Sequence, residues 1–128
     1  MDLLLDTHAL LWFVGGDDRL STIVRRRIED PNARVLVSAA SAWEIATKFR
    51  LGKLPGGRLL AENFVDTVAG LGFETVAISP TAAQQAGRMD VEHRDPFDRV
   101  LAAQARELGV SLASADTTFD AMGVSRIW

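Results

Sequence analysis

Short apolar, β-rich runs alternate with helical patterns along this chain, and few folds accept that alternation. LLLD (3–6), RVLVS (34–38), FETVAIS (73–79) and VSLASAD (110–116) read as strands. THALLWFV (7–14), LSTIVRRRIED (20–30), SAWEIATKFRLG (41–52), LAENFVDTVAGLG (60–72), PTAAQQAGRM (80–89) and DPFDRVLAAQAREL (95–108) read as helices. Leu20, Ile23, Val24 and Ile28 have helical spacing, and Ala42, Ile45, Ala46 and Phe49 share a helix face. Gly52, Gly72 and Gly109 supply stops, Pro80 and Pro96 stand at first helical positions, and Asp95 is a cap. TTFDAMG is a short turn or helix, and VSRIW an edge strand. Strands alternating with helices of this length predict a parallel sheet covered on both faces, in one α/β domain spanning residues 1–128.

Composition removes several function classes. Hydrophobic residues make up 48% of the chain, enough for a real core. With no cysteine there is no disulfide, thiolate zinc site or cysteine nucleophile. Asp6 interrupts the first apolar run before it reaches the length of a signal sequence, and no segment reaches a membrane span, so the expected location is the cytoplasm. Net charge is −3, which argues against gripping nucleic acid by bulk positive charge. Local basic patches remain: Lys48, Arg50, Lys53 and Arg58 in KFRLGKLPGGR, and Arg25 to Arg27. Both also read as solvated helix faces.

The chemistry concentrates in four acids. Asp6 ends the first strand, Asp116 follows the last long one, and Glu44 and Asp98 sit near the starts of helices. In a parallel sheet these positions share the carboxyl edge, where ligands bind. Carboxylates gathered there repel one another and invite a hard divalent cation, Mg²⁺ or Mn²⁺. Each acid also has a structural account. Asp6 and Asp116 can cap helices, Ser41 and Glu44 spell a capping box, and Asp98 is a first-turn acid favoured by the helix dipole. Asp98 is hardest to dismiss, because it heads a stripe of Leu101, Ala102 and Ala105. His8 and His93 read as turn and surface residues, and Trp12, Trp43 and Phe49 as core or interface. No phosphate-binding P-loop or nucleophile elbow is present.

LLLDTHALLWF, SAASAWEIATKFRLGKL, HRDPFDRVLAAQA and LASADTTFD, in this order, resemble the motifs of PIN-domain ribonucleases, and more narrowly of VapC-type toxins. The resemblance runs from Asp6 nearly to the C-terminus and implies a three-layer α/β/α sandwich with a central parallel sheet. It implies metal-dependent endonucleolytic cleavage of RNA, with Asp6, Glu44, Asp98 and Asp116 as catalytic and metal-binding acids. Thr7 and Ser114 match small polar residues bordering the site, and Asp95 and Asp120 are nearby acids without an assigned role. It further implies a homodimer silenced by a cognate antitoxin protein. On this reading Lys48, Arg50, Lys53 and Arg58 guide the RNA backbone. Two other classes stay open: a phosphotransfer or phosphatase-type α/β domain using Asp6, and a PIN-like binding module in which all four acids are caps.

Overall fold

Leu3, Leu4 and Leu5 alternate between two cores, and this places the rest of the molecule. In the computed structural model, which describes residues 2–92 and 95–128, they lie on strand β1 (Asp2–Leu5) and are at most 2% exposed. Leu3 and Leu5 face one apolar cluster with Leu10, Val24, Val35, Val37, Ile45 and Leu60. Leu4 faces the other, with Leu36, Leu101, Ala105, Leu112 and Phe119. A strand apolar on both sides must be covered on both sides.

The sheet has five strands in the order β3-β2-β1-β4-β5, all parallel. The other four are β2 (Arg34–Ser38), β3 (Glu74–Val76), β4 (Ser111–Ala113) and β5 (Arg126–Ile127). Leu4 pairs with Leu36 on one side and Leu112 on the other, which centres β1. The expected single α/β domain with a central parallel sheet is the fold observed. β3 is shorter than FETVAIS suggests, because Ala77 to Ser79 leave the ladder before the next helix.

The helices are α1 (Thr7–Gly15), α2 (Thr22–Glu29), α3 (Ala39–Arg50), α4 (Arg58–Glu62), α5 (Phe64–Gly70), α6 (Pro80–Arg88) and α7 (Pro96–Leu108). A 3₁₀ turn covers Thr117–Met122. α7 has the anticipated boundaries: Asp95 accepts from the Phe97 amide, Pro96 opens it, and Gly109 closes it at φ 65°, a conformation that suits glycine. The helix expected across 60–72 is broken at Asn63, whose φ of −137° is not helical. Leu20, just before α2, and Val24 and Ile28 within it are buried as their spacing predicts, but Ile23 faces solvent.

α3 departs furthest from its apolar pattern. Its buried residues are Ala40, Ser41, Glu44 and Ile45, while Ala46 is exposed and Ala42 and Phe49 are only partly covered. Two polar residues hold positions that a hydrophobic stripe would normally occupy. Its cap is Ser38, whose hydroxyl accepts from the Ala40 amide, not Ser41. The Ser41–Glu44 capping box is therefore not formed. Glu44 lies in the second turn, where no orphan amide needs it.

Candidate active site

Asp6 leaves β1 at the carboxyl edge of the sheet and caps α1, its Oδ1 accepting from the Ala9 amide at 2.8 Å. Its own amide donates to the Ala113 carbonyl at 3.0 Å, tying it to the end of β4. The side chain is buried, and burial pushes its carboxyl above the usual aspartate range. Nearby Glu44 pushes the same way, while the Ser114 hydroxyl, the Ala9 amide and His8 pull it back.

Glu44 is 3% exposed, and both its oxygens have partners. The Thr7 hydroxyl donates to Oε1 at 2.6 Å, and the Lys48 ammonium holds Oε2. Thr7 Oγ1 also lies 3.0 Å from Ser41 Oγ, so the first residue of α1 and the inner face of α3 form one buried polar chain. These partners explain why α3 turns serine and glutamate inward. Partial burial works against the Lys48 ammonium, but Glu44, backed by Asp95 and Asp98, outweighs it and holds the lysine pKa above its ordinary value. Lys48 thus faces carboxylates from both α3 and the start of α7.

Asp98 is half-buried in the first turn of α7, and its amide lies 3.4 Å from Asp95 Oδ1. Trp43 and Phe97, the neighbours of Glu44 and Asp98, meet edge-to-face at a centroid distance of 4.7 Å and join the two helices beside the acids. Asp116 is exposed and caps the 3₁₀ turn, accepting from the Thr118 amide at 2.9 Å and its hydroxyl at 2.7 Å. Ser114 links it to Asp6: the buried Ser114 Oγ accepts from the Asp116 amide at 3.0 Å and its hydroxyl bonds the Asp6 carboxyl.

Asp6 and Glu44 are therefore brought together in the interior, Asp98 faces Lys48 from α7, and Asp116 stands outside, joined through Ser114. Among the described residues, no three His, Asp or Glu side chains form a ready-made metal cage. The donor chemistry still fits a hard divalent cation: the acids supply only oxygen, and a buried carboxylate whose pKa is raised gains from a neighbouring positive charge. Asp95 is a cap, and Asp120 is held bidentate by Arg126, with its carboxyl pKa lowered by that contact.

Of the basic residues, Lys48 turns inward onto Glu44. Arg50 and Lys53 are exposed, and Arg58 lies over the Phe49 ring at 5.9 Å. Lys53 shares a cleft with His8 and Trp12, and Trp12 packs against Trp128 at 5.7 Å. His93 lies outside the described residues. The Lys48 contact was legible as Glu-x-x-x-Lys, a spacing that joins side chains on one helix face. Thr7 had a place at the site only through the family motif, since its bond to Glu44 crosses from α1 to α3.

A PIN domain family model matches residues 3–124. A stretch of 31 residues is 58% identical to ribonuclease VapC16 of Mycobacterium tuberculosis, covering 24% of this chain and 22% of that protein. The aligned stretch thus spans under a quarter of the relative's length. The fold resembles that of VapBC2 from Rickettsia felis bound to a promoter DNA fragment, with a TM-score of 0.71, 12% identity, and 99% of this chain and 98% of that one covered. It also resembles Mycobacterium tuberculosis VapC20, described as a sarcin-ricin loop cleaving toxin, at TM-score 0.67 and 22% identity with 95% of each chain covered. A toxin–antitoxin complex from Klebsiella pneumoniae aligns at TM-score 0.69 and 16% identity over 98% of this chain and 96% of that one. The family model spans the helices, the strands other than β5 and all four acids, and with the sheet order and the acids at its carboxyl edge it leads to one assignment: the chain belongs to the PIN domain family.

Proposed function

We propose that this chain is an endoribonuclease and the toxin of a toxin–antitoxin pair, hydrolysing RNA phosphodiester bonds at Asp6, Glu44, Asp98 and Asp116 with Mg²⁺ or Mn²⁺. The observation that carries this reading is the buried Asp6–Glu44 pair at the carboxyl edge of the sheet. Burying two like charges together is costly, and a catalytic cation site accounts for keeping them there. On this reading Asp6 and Asp98 hold the ion, and Glu44 and Asp116 complete the donor set and orient water. When bound, the ion would polarise the scissile phosphate and make water acidic enough to attack near neutral pH. Thr7 fixes the Glu44 carboxylate, and Ser114 fixes Asp6. Arg50, Lys53 and Arg58 follow α3 away from the acids and would meet the RNA backbone. The same reading makes the working form a homodimer in the cytoplasm, with an antitoxin protein as partner; the toxin–antitoxin complexes among the structural relatives support the antitoxin partner.

The test is RNA cleavage by the purified protein with Mg²⁺, with Mn²⁺ and in EDTA. Cleavage should require the metal. Asp6→Asn and Asp98→Asn should each abolish it while the circular dichroism spectrum stays native. Undiminished cleavage in EDTA would remove the metal from the mechanism, and intact wild-type protein inert on RNA with either ion would overturn the nuclease reading. Sedimentation at micromolar concentration tests the dimer separately.

A further inference from the structure

Glu44 has no vacant oxygen: Oε1 accepts from the Thr7 hydroxyl at 2.6 Å and Oε2 is held by the Lys48 ammonium. A cation taking Glu44 as a ligand must displace one partner or share its oxygen. The two partners are not equally able to leave. Thr7 is 4% exposed, has a short side chain, and is also bonded to Ser41. Lys48 ends a four-carbon stem whose side chain is 33% exposed, with open solvent beside it. It also stands where positive charge is wanted, between Glu44 on its own helix and Asp95 and Asp98 at the start of α7.

We propose that Lys48 is an exchangeable counter-ion: its ammonium neutralises Glu44 in the metal-free protein and leaves Glu44 when a divalent cation enters. The proposal rests on the metal-site reading above and adds what that reading lacks, an account of how a buried carboxylate is tolerated before the metal arrives. Lysine fits the task better than arginine, because a compact ammonium on a flexible stem makes no bidentate fork that must be broken. Once released, the same ammonium is free to meet phosphate.

The test is a double-mutant cycle read by calorimetric titration of Mn²⁺ alone, without RNA, into wild-type protein, Lys48→Met, Glu44→Gln and the double variant. Lys48→Met should tighten Mn²⁺ binding by about tenfold when Glu44 is present. In the Glu44→Gln background, the same change should alter affinity by less than about twofold, because the lysine no longer has that oxygen to occupy. A second readout uses only the wild-type protein. Acylation of Lys48 by a water-soluble N-hydroxysuccinimide ester, followed by mass spectrometry, should accelerate when Mn²⁺ is added. Unchanged or weaker Mn²⁺ binding by Lys48→Met, equal tightening in both backgrounds, or an acylation rate indifferent to Mn²⁺ would each overturn the exchange and leave the metal site standing. Failure of all four proteins to bind Mn²⁺ would overturn the metal site and the exchange together.

Discussion

The Asp6 carboxylate caps α1 while remaining buried, and the two roles pull its protonation in opposite directions. The Ala9 amide and the Ser114 hydroxyl favour the charged form, and burial with Glu44 alongside favours the neutral one and prevails. Since the folded state raises this pKa above its unfolded value, folding binds the proton more tightly. The contribution of Asp6 to stability is therefore favourable at acid pH and turns against folding as pH rises from the unfolded towards the folded pKa. Asp6→Asn keeps the cap, for which asparagine is as good as aspartate, and removes the titration. Its melting temperature relative to wild type should thus be higher at pH 7 than at pH 4, measured in EDTA. A constant difference across that range would show that Asp6 does not titrate differently on folding. Asp6 was legible as a candidate because a carboxylate inside an apolar run demands an explanation. Glu44 was legible as an acid at the right edge, but its capping-box reading failed. The cap is set by where β2 ends, at Ser38, and three-residue spacing alone does not report that.

Ser38 joins three elements. It ends β2, caps α3 through the Ala40 amide, and donates to Gln104 Oε1 on α7 at 2.5 Å, while Gln104 Nε2 reaches the Ala77 carbonyl at 3.3 Å. Ser38 and Gln104 are both at most 1% exposed. Ser38→Ala removes the cap and leaves a buried amide oxygen unsatisfied, so it should cost about 2–3 kcal/mol in urea denaturation. A loss below about 0.5 kcal/mol would mean that Gln104 finds another donor. Most elements were legible in sequence because their boundaries are local: Asp95, Pro96 and Gly109 fix α7 without help from elsewhere. The face that α3 buries was not, because it is chosen by partners from other elements. Thr7 from α1 draws Ser41 and Glu44 inward, so the helix turns a polar stripe to the interior and leaves Ala46 in water. The Asn63 break between α4 and α5 was hidden likewise, since the apolar spacing runs on through it.

For the whole molecule, the charge distribution matters more than the total. If RNA is the substrate, a protein of net charge −3 needs a narrow cationic track. In the metal-free protein, with Lys48 engaged on Glu44, the track left by the basic run is Arg50, Lys53 and Arg58, and binding is measured in EDTA. Three phosphate contacts to single-stranded RNA predict a plot of log binding constant against log salt with a slope of about −2. Replacing all three with glutamine should flatten that slope towards zero with the fold intact. A wild-type slope steeper than about −5 would require a wider footprint, as the Arg25 to Arg27 cluster or a second protomer would provide.

The order of strands in the sheet sets a timetable. β1 is central, and its Leu4 needs both Leu36 and Leu112 beside it. Synthesis from the N-terminus makes β1 and β2 early, whereas β4 comes only after α7. In the interval Asp6, Glu44 and Asp98 all exist as residues, yet the Ala113 carbonyl that anchors the Asp6 amide and the Ser114 hydroxyl that holds its carboxyl have not been made. A nascent chain carries the ingredients without the site. If RNA is what this protein cuts, the message being read is spared by its own product until β4 has emerged, and that protection needs no partner protein.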